Sequence, residues 1–347
     1  MTTTPEFIAE PVRVVVAGAG QIACQHYIPA LRAASEVLVV GLWEQNAEVA
    51  AEVADGLPEV RLPCKGETFG EYLLGTGADL LVNLTPPTQH YELTRAALER
   101  DINVFSEKPL SLGAGRAEEL MTLAADRGVW LLVAPYVTGN PLLDAVCGVL
   151  GRGELGNLHT AFLRYGCSSK LAEGSSGWRA DAREGGVLVD VGSYPLAILD
   201  RLFGPPNAVV SSARSAMRLP TGTFMESWSV GLSYGPATHA IVQTGTHYAA
   251  SGFQLELRLT GTAGELKIVN GNLMSLEYDI ASADGAWRTI RLSPTDYHWA
   301  RGPVDLAAML RADVPPQQPL AALTQVRTVQ ACQARARAAE QQEESER

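Results

Sequence analysis

Basic residues, closely spaced cysteines and long apolar runs are all scarce in this chain of 347 residues. Its 27 Lys and Arg face 38 Asp and Glu, which gives a formal net charge of -11. An acidic surface disfavours nucleic acid and anionic membranes as partners, because their phosphates attract basic residues. The five cysteines lack the spacing of a zinc knuckle or redox pair. We therefore expect free thiols in a reducing compartment.

The sequence also lacks a signal-peptide pattern and a membrane-spanning segment. Glu6 and Glu10 precede the first basic residue, Arg13, and the apolar run after it is short. No stretch approaches the roughly 20 apolar residues that cross a bilayer. The six histidines are scattered without ligand spacing for zinc or iron. These absences predict a cytoplasmic protein with no membrane partner and no metal site.

Apolar residues make up 46% of the chain and charged residues 19%, which suits a globular enzyme of two domains. Up to about Tyr136, short apolar runs alternate with segments of helical periodicity, a pattern typical of a doubly wound parallel sheet. We predict an NAD-binding Rossmann domain over residues 1–138. Its strands are predicted at Arg13 to Ala17, Val37 to Trp43, Asp79 to Leu84, Asn103 to Phe105 and Val129 to Ala134.

Residues 139–347 change in character and predict an α+β domain for substrate binding and oligomerisation. A helix from Pro141, a strand from His159 and a helix from Gly192 are followed by about six strand-like runs between Ala208 and Ile280. These runs predict a large, mostly antiparallel, open-faced sheet. Two C-terminal helices complete the predicted domain.

A glycine loop follows the first predicted strand and opens the first helix. Gly18 permits a tight turn, Gly20 allows the backbone to approach a pyrophosphate, and Ala23 is small enough for strand-helix packing. Gln21 and Ile22 begin the helix, whose N-terminal amides favour an anion. On this motif alone, an ordinary glycine turn in a domain that binds no nucleotide is the alternative.

The second predicted strand ends at Glu44, where a carboxylate can accept hydrogen bonds from ribose hydroxyls. Trp43, Gln45 and Asn46 include no basic side chain to pair with a 2′-phosphate. We therefore expect NAD(H) as cofactor, with NADP(H) as the less favoured alternative. Without the glycine loop, Glu44 would equally suit a solvated strand end.

Further motifs follow the third and fourth predicted strands and recur in the second domain. They are Thr85-Pro86-Pro87 with His90 three residues on, Glu107-Lys108-Pro109, Trp178-Arg179, Gly185-Gly186, the segment Asp190 to Tyr194, the hairpin Phe253 to Gly264, and Arg301-Gly302-Pro303. Together with the glycine loop they resemble the Gfo/Idh/MocA family, named for glucose-fructose oxidoreductase, inositol dehydrogenase and a rhizopine catabolism protein. The resemblance extends over nearly the whole chain.

The resemblance implies that Lys108 lies near the nicotinamide and contacts the reacting hydroxyl, and that the Lys108-Pro109 peptide is often cis. A cation at the carboxyl end of a parallel strand can stabilise developing alkoxide charge. A solvated charge pair is the alternative. By the same resemblance we assign cofactor contacts to Thr85, Pro86, His90 and Glu107.

Most members of the family have histidine at the position of Tyr194. The tyrosine here resembles the glucose-fructose oxidoreductase and dihydrodiol dehydrogenase branches, whose tyrosine is taken to exchange a proton with substrate. Asp190 is expected to orient the substrate hydroxyl or the lysine, and Trp178 and Arg179 to line the sugar pocket. A core aromatic is the alternative for Tyr194. An arginine and a histidine that many relatives use for substrate are missing here.

The resemblance therefore implies hydride transfer between nicotinamide and a hydroxyl or keto carbon of a sugar, cyclitol, or amino- or deoxysugar. The enzyme would be a dehydrogenase or a ketosugar reductase. A hydrolase that oxidises its sugar transiently with bound NAD, and a non-catalytic dinucleotide-binding regulator, are the alternatives. By analogy with the family we expect a homodimer or homotetramer.

Overall fold

The computed structural model describes residues 10–57, 59–168, 184–218, 224–248, 252–315 and 320–346, and these form two compact units. The first unit comprises the chain up to Leu110, Glu118–Tyr136 and a segment that begins at Ala300. The second comprises Ser111–Ala117, Val137–Trp299 and a segment that begins at Leu320. The division of the sequence after residue 138 stays a prediction.

The first unit contains a five-stranded parallel sheet in the order β2-β1-β3-β4-β5. Its strands are apolar on both faces, and Val14, Val15 and Val16 are fully buried in β1, as a sheet covered on both sides requires. The predicted Rossmann-type sheet is confirmed. The strands are β1 (Val12–Ala17), β2 (Val37–Trp43), β3 (Leu80–Asn83), β4 (Asn103–Ser106) and β5 (Leu131–Val133).

Helices flank this sheet, and the first begins with an irregular turn. A π-helical turn, Ala23–Tyr27, leads directly into α1 (Ile28–Ala33). The other helices with residues in this unit are α2 (Ala47–Asp55), α3 (Phe69–Thr76), α4 (Pro87–Leu98), α5 (Ala114–Arg127) and α9 (Gly302–Ala312). Although α9 comes late in the sequence, it contacts α1, β1, β4 and β5. At its start, Gly302 leaves no space for a Cβ beside the rings of Phe105 and Tyr136.

The second unit contains an eight-stranded sheet in the order β13-β12-β11-β10-β6-β9-β8-β7. The β6–β9 pair is parallel and the other pairs are antiparallel. The predicted mostly antiparallel sheet is therefore confirmed. The strands are β6 (Leu158–Ser168), β7 (Ala208–Arg218), β8 (Phe224–Tyr234), β9 (Thr238–Tyr248), β10 (Phe253–Gly261), β11 (Gly264–Gly271), β12 (Glu277–Ser282) and β13 (Trp287–Arg291).

Helices cover one face of this sheet and enclose the core of the second unit. They are α6 (Pro141–Gly151), α7 (Gly186–Asp190), α8 (Ser193–Phe203) and α10 (Leu320–Glu346). Alternate strand residues such as Leu163, Val230 and Leu257 face this core. Within the described ranges, no helix is both long enough and apolar enough to cross a membrane.

Candidate active site

The glycine loop lies at the carboxyl end of β1, and glycine suits positions 18 and 20 for different reasons. Gly18 has φ +91°, and a Cβ there would come within 2.9 Å of the backbone of Leu84. Gly20 is different, since a Cβ there would meet no atom within 4 Å. Packing therefore does not require glycine at position 20, whereas the close approach of a ligand would. This open space beside the start of a helix fits a dinucleotide pyrophosphate.

Glu44 follows β2 and is held against the glycine loop. Its Oε2 accepts a hydrogen bond from the Ala19 backbone N–H at 2.9 Å, and its Oε1 accepts one from the Asn46 N–H at 2.9 Å. Asn46 in turn caps α2 by accepting from Glu48 N and Val49 N. The carboxylate is thus fixed beside the loop, where an adenosine ribose would lie in this fold.

The end of β3 is organised by buried polar groups. Asn83 is fully buried; its amide donates to His90 O and Thr94 Oγ1, each at 3.2 Å, and its Oδ1 accepts from Thr85 Oγ1 at 2.7 Å. Pro86 has extended backbone geometry and precedes Pro87 at the start of α4. These contacts fix the conformation of the Thr-Pro-Pro loop at the carboxyl end of the sheet, where ligands bind in this fold.

Glu107 and Lys108 follow β4 and are 7% and 8% exposed. Tyr27 donates its hydroxyl hydrogen bond to Glu107 Oε1 at 2.6 Å, and the Lys108 N–H donates to Glu107 Oε2 at 3.0 Å. The Lys108-Pro109 peptide bond is cis. This burial disagrees with a solvated charge pair, the alternative considered for this segment.

In the second unit, Asp190 ends α7 and Tyr194 lies in the first turn of α8. The Tyr194 ring stacks on Tyr165 with centroids 5.0 Å apart and lies 5.9 Å from the ring of Phe253. Burial raises the pKa of Tyr165, and the nearby Asp190 charge raises it further. Asp190 therefore lies on the same side of the sheet as this aromatic cluster of Tyr165, Tyr194 and Phe253.

The predicted site residues fall into two groups. The cofactor residues, the loop after β3 and the Glu-Lys-Pro segment belong to the first unit, while Asp190 and Tyr194 belong to the second. Trp178 and Arg179 lie outside the described residues. Sequence reasoning missed Tyr27, which has no motif of its own, and named Phe253 only as the first residue of a hairpin. It could have noticed Tyr165 as an aromatic on a predicted strand, although nothing local connects it to Tyr194.

Two family profiles match the chain. "Oxidoreductase family, NAD-binding Rossmann fold" matches residues 12–134, and "GFO/IDH/MocA C-terminal domain" matches residues 145–267. The chain belongs to the Gfo/Idh/MocA family. Membership confirms the resemblance seen in the sequence, and makes the chain a nicotinamide-dinucleotide-binding oxidoreductase by family.

Curated relatives within the family are distant. An uncharacterized oxidoreductase of Schizosaccharomyces pombe is 27% identical over 65% of this chain, and that alignment spans 61% of the yeast protein. A dTDP-3,4-didehydro-2,6-dideoxy-alpha-D-glucose 3-reductase of Streptomyces antibioticus is 28% identical over 74% of this chain and 75% of its own length. A D-xylose 1-dehydrogenase (NADP(+)) of Hypocrea jecorina is 22% identical over 76% of this chain and 72% of its own.

Solved structures share the fold. A 3-ketoreductase from Actinomadura kijaniata, in complex with TDP-benzene and NADP, superposes with a TM-score of 0.79 at 20% identity, over 94% of this chain and 98% of that one. Biliverdin reductase from Synechocystis, in complex with biliverdin and NADP+, gives 0.76 at 20% identity over 94% and 99%. Both neighbours hold NADP, so they do not support a preference for NAD.

Proposed function

We propose that the protein transfers a hydride between nicotinamide and a hydroxyl or keto carbon of a sugar, cyclitol, or amino- or deoxysugar. The observation that carries the proposal is Lys108, a nearly buried cation at the carboxyl end of a parallel strand, in the same unit as the glycine loop. Keto-deoxysugars linked to a nucleotide are the first substrates to test. The supporting relative is the Streptomyces antibioticus 3-reductase, which aligns over three quarters of its length.

The residues at the carboxyl ends of β1 and β2 suit the cofactor. Gly18 and Gly20 would hold the pyrophosphate against backbone amides, and Glu44 would accept hydrogen bonds from the ribose. Thr85 and Pro86 would line the approach to the nicotinamide. When bound, the nicotinamide supplies or accepts the hydride, and the protein supplies charge and a proton.

In this proposal Lys108 stabilises negative charge on the reacting oxygen and Tyr194 exchanges a proton with it. During reduction the phenol gives its proton to the oxygen as the carbonyl becomes an alcohol; during oxidation the phenolate takes it back. Asp190 orients the substrate hydroxyl. Phe253 is 44% exposed on the helix-covered side of the sheet, and its ring can pack against the C–H face of a sugar.

The decisive experiment is a screen of ketosugars, nucleotide-linked deoxysugars and cyclitols with NAD(H) and NADP(H), monitored by nicotinamide absorbance. Lys108→Ala and Tyr194→Phe should each lower kcat by roughly 100-fold or more, the scale of general acid-base and electrostatic catalysis. NADH affinity, measured by fluorescence titration, should change little.

Lys65→Ala and Tyr234→Phe are matched controls. Lys65 is exposed, and Tyr234 contacts Phe203 at the far end of α8 from Tyr194. Both variants should retain the wild-type rate. If Lys108→Ala also retains it, the role assigned to the lysine is wrong. Sugar cleavage without net change in NADH would instead establish the hydrolase.

A further inference from the structure

The main chain on both sides of Lys108 is fixed by buried side chains. Before it, the Lys108 N–H donates to Glu107 Oε2 at 3.0 Å. After it, the Pro109 carbonyl oxygen lies 2.7 Å from Nδ1 of His90. The backbone that carries the lysine side chain is therefore contacted at two consecutive residues. Glu107 contacts Lys108, and His90 of α4 contacts Pro109.

The Glu107 carboxylate is itself held by a second element. Its other oxygen, Oε1, accepts the hydroxyl hydrogen bond of Tyr27 at 2.6 Å. Tyr27 is fully buried, lies against Phe105 with centroids 5.7 Å apart, and is the last residue of the π-helical turn Ala23–Tyr27. A π turn adds a residue to the helical repeat and rotates the following side chains. Here the turn lies in the helix that begins at the glycine loop, and its last residue, Tyr27, contacts Glu107.

His90 makes the second connection. Its Nε2 lies 2.6 Å from the Thr85 carbonyl oxygen, while its Nδ1 faces Pro109 O, and the ring is 1% exposed. A neutral imidazole donates to one of these carbonyl groups and an imidazolium donates to both. Burial is the strongest influence on this ring and lowers its pKa, against the opposing effects of both carbonyl groups and Glu107. When Nδ1 carries the proton, the ring donates to the Pro109 carbonyl oxygen and so ties α4 to the loop after β4.

We propose that Tyr27, Glu107 and His90 are positioning residues, which hold Lys108 for catalysis by fixing the backbone before and after it. We call these three residues the lysine frame. The inference rests on the proposed function of Lys108 and changes the roles expected for Glu107 and His90. Their polar atoms contact protein groups around the lysine, and through these contacts they act on its position.

Tyr27→Phe removes one hydroxyl and tests the frame with least disturbance. Misplacing a catalytic group by about 1 Å can cost roughly 100-fold, so we expect kcat to fall roughly tenfold to 100-fold with little change in the KM for cofactor. Tyr72→Phe is the matched control. Tyr72 is also fully buried in the first unit and also donates at 2.6 Å, but to the Arg61 carbonyl oxygen. Tyr72→Phe should lose about as much stability as Tyr27→Phe and keep the wild-type kcat.

Glu107 offers a test of rescue. Glu107→Ala removes both acceptors and should lower kcat at least as much as Tyr27→Phe. Glu107→Gln keeps an acceptor for the Lys108 N–H and an amide that can donate to the Tyr27 oxygen. It should recover most of the rate. Equal losses in Ala and Gln variants would contradict a positioning role.

A spectroscopic readout independent of turnover is available because the chain has only four lysines, Lys65, Lys108, Lys170 and Lys267. In protein labelled with 13C-lysine, four Cε signals can be assigned by single Lys→Arg variants. The Lys108 signal should move or split in Tyr27→Phe and His90→Gln, and stay in place in Tyr72→Phe.

The outcomes separate this inference from the proposed function. If Lys108→Ala destroys activity while Tyr27→Phe keeps both the wild-type kcat and the Lys108 signal, the frame is refuted and the lysine's role stands. If Lys108→Ala keeps activity, the proposed function fails first. In the double variant Tyr27→Phe/Lys108→Ala, the tyrosine change should add no further loss of rate, since it acts through the lysine.

Discussion

Glu44 uses both carboxylate oxygens to accept backbone hydrogen bonds, one from the glycine loop and one from the start of α2. A negative charge fixed in this way disfavours the additional phosphate of NADP at the same ribose, by repulsion between like charges. We therefore keep the preference for NAD as a proposal, on the geometry of this residue. The two solved neighbours that hold NADP make it a question to be measured.

Replacing Glu44 by Arg should shift the ratio of kcat/KM for NADP over NAD upward by roughly tenfold or more, the factor that about 1.4 kcal/mol produces. The guanidinium would attract the 2′-phosphate that the carboxylate repels. Steady-state kinetics with both cofactors measure the ratio. Glu36→Arg makes the same change of charge just before β2, at the opposite end of the strand, and should leave the ratio unchanged. An equal shift in both variants would mean that general electrostatics, rather than ribose recognition, sets the preference.

Among the elements, α10 covers β7 and α8 with side chains that include the fully buried Cys332. Burial raises the pKa of the Cys332 thiol to about 11. The folded state therefore favours the protonated thiol more than the unfolded chain does. This contribution to stability is complete below the thiol's ordinary pKa and is lost as the pH rises through the folded value.

The free energy of unfolding should accordingly fall between about pH 9 and about pH 11, by about 2–3 kcal/mol from this thiol. Urea unfolding of wild type and Cys332→Ala at pH 8 and pH 10.5 measures the effect. Cys332→Ala should be less stable than the wild type at pH 8 because it leaves a cavity. Its free energy of unfolding should then fall less between pH 8 and pH 10.5. Cys64→Ala, at an exposed thiol, should lose stability with pH as the wild type does. Parallel pH curves for Cys332→Ala and wild type would contradict the assignment.

Elements with a strong local pattern were predictable from the sequence, and those decided by distant contacts were not. Strand β2 has the predicted bounds because its apolar run is unbroken. The short helix α3 was missed although Thr68 and Glu71 form a capping box before it. Strand β13 was missed because most of its residues are exposed at a sheet edge, where apolar alternation is weak.

The same distinction holds for the candidate site. The glycine loop and Lys108 were found because their residues are adjacent in sequence and serve one local geometry. The bond from Tyr27 to Glu107 joins residues 80 positions apart. It depends on a π turn for which the sequence offers no local signal. Sequence reasoning therefore located the lysine and missed what holds it.

At the scale of the whole molecule, the face of the large sheet opposite its helices exposes apolar side chains. Met217, Ile241 and Val269 are 56%, 48% and 45% exposed. Exposed apolar side chains on one face of a sheet favour self-association through a two-fold axis. The predicted homodimer or homotetramer therefore remains our proposal, with this face as the interface.

Ile241→Asp should lower the molar mass measured by light scattering after size-exclusion chromatography to that of the 37.0 kDa chain, because a charge in a two-fold interface is buried twice. Val314→Asp is the control. Val314 is 55% exposed and follows α9 in the first unit. A wild-type mass equal to one chain, or an unchanged mass in Ile241→Asp, would exclude this interface.

The late position of α9 also affects how the chain is made. The strands of the first unit emerge from the ribosome long before Gly302, the residue that packs on Phe105 and Tyr136. Until then the nascent Rossmann sheet lacks one of its covering helices, which is synthesised only after most of the polypeptide. A gene fragment cut after residue 138 would encode an incomplete globule with an apolar side open to water. A working transplant of the dinucleotide module into another enzyme would need this helix spliced back in.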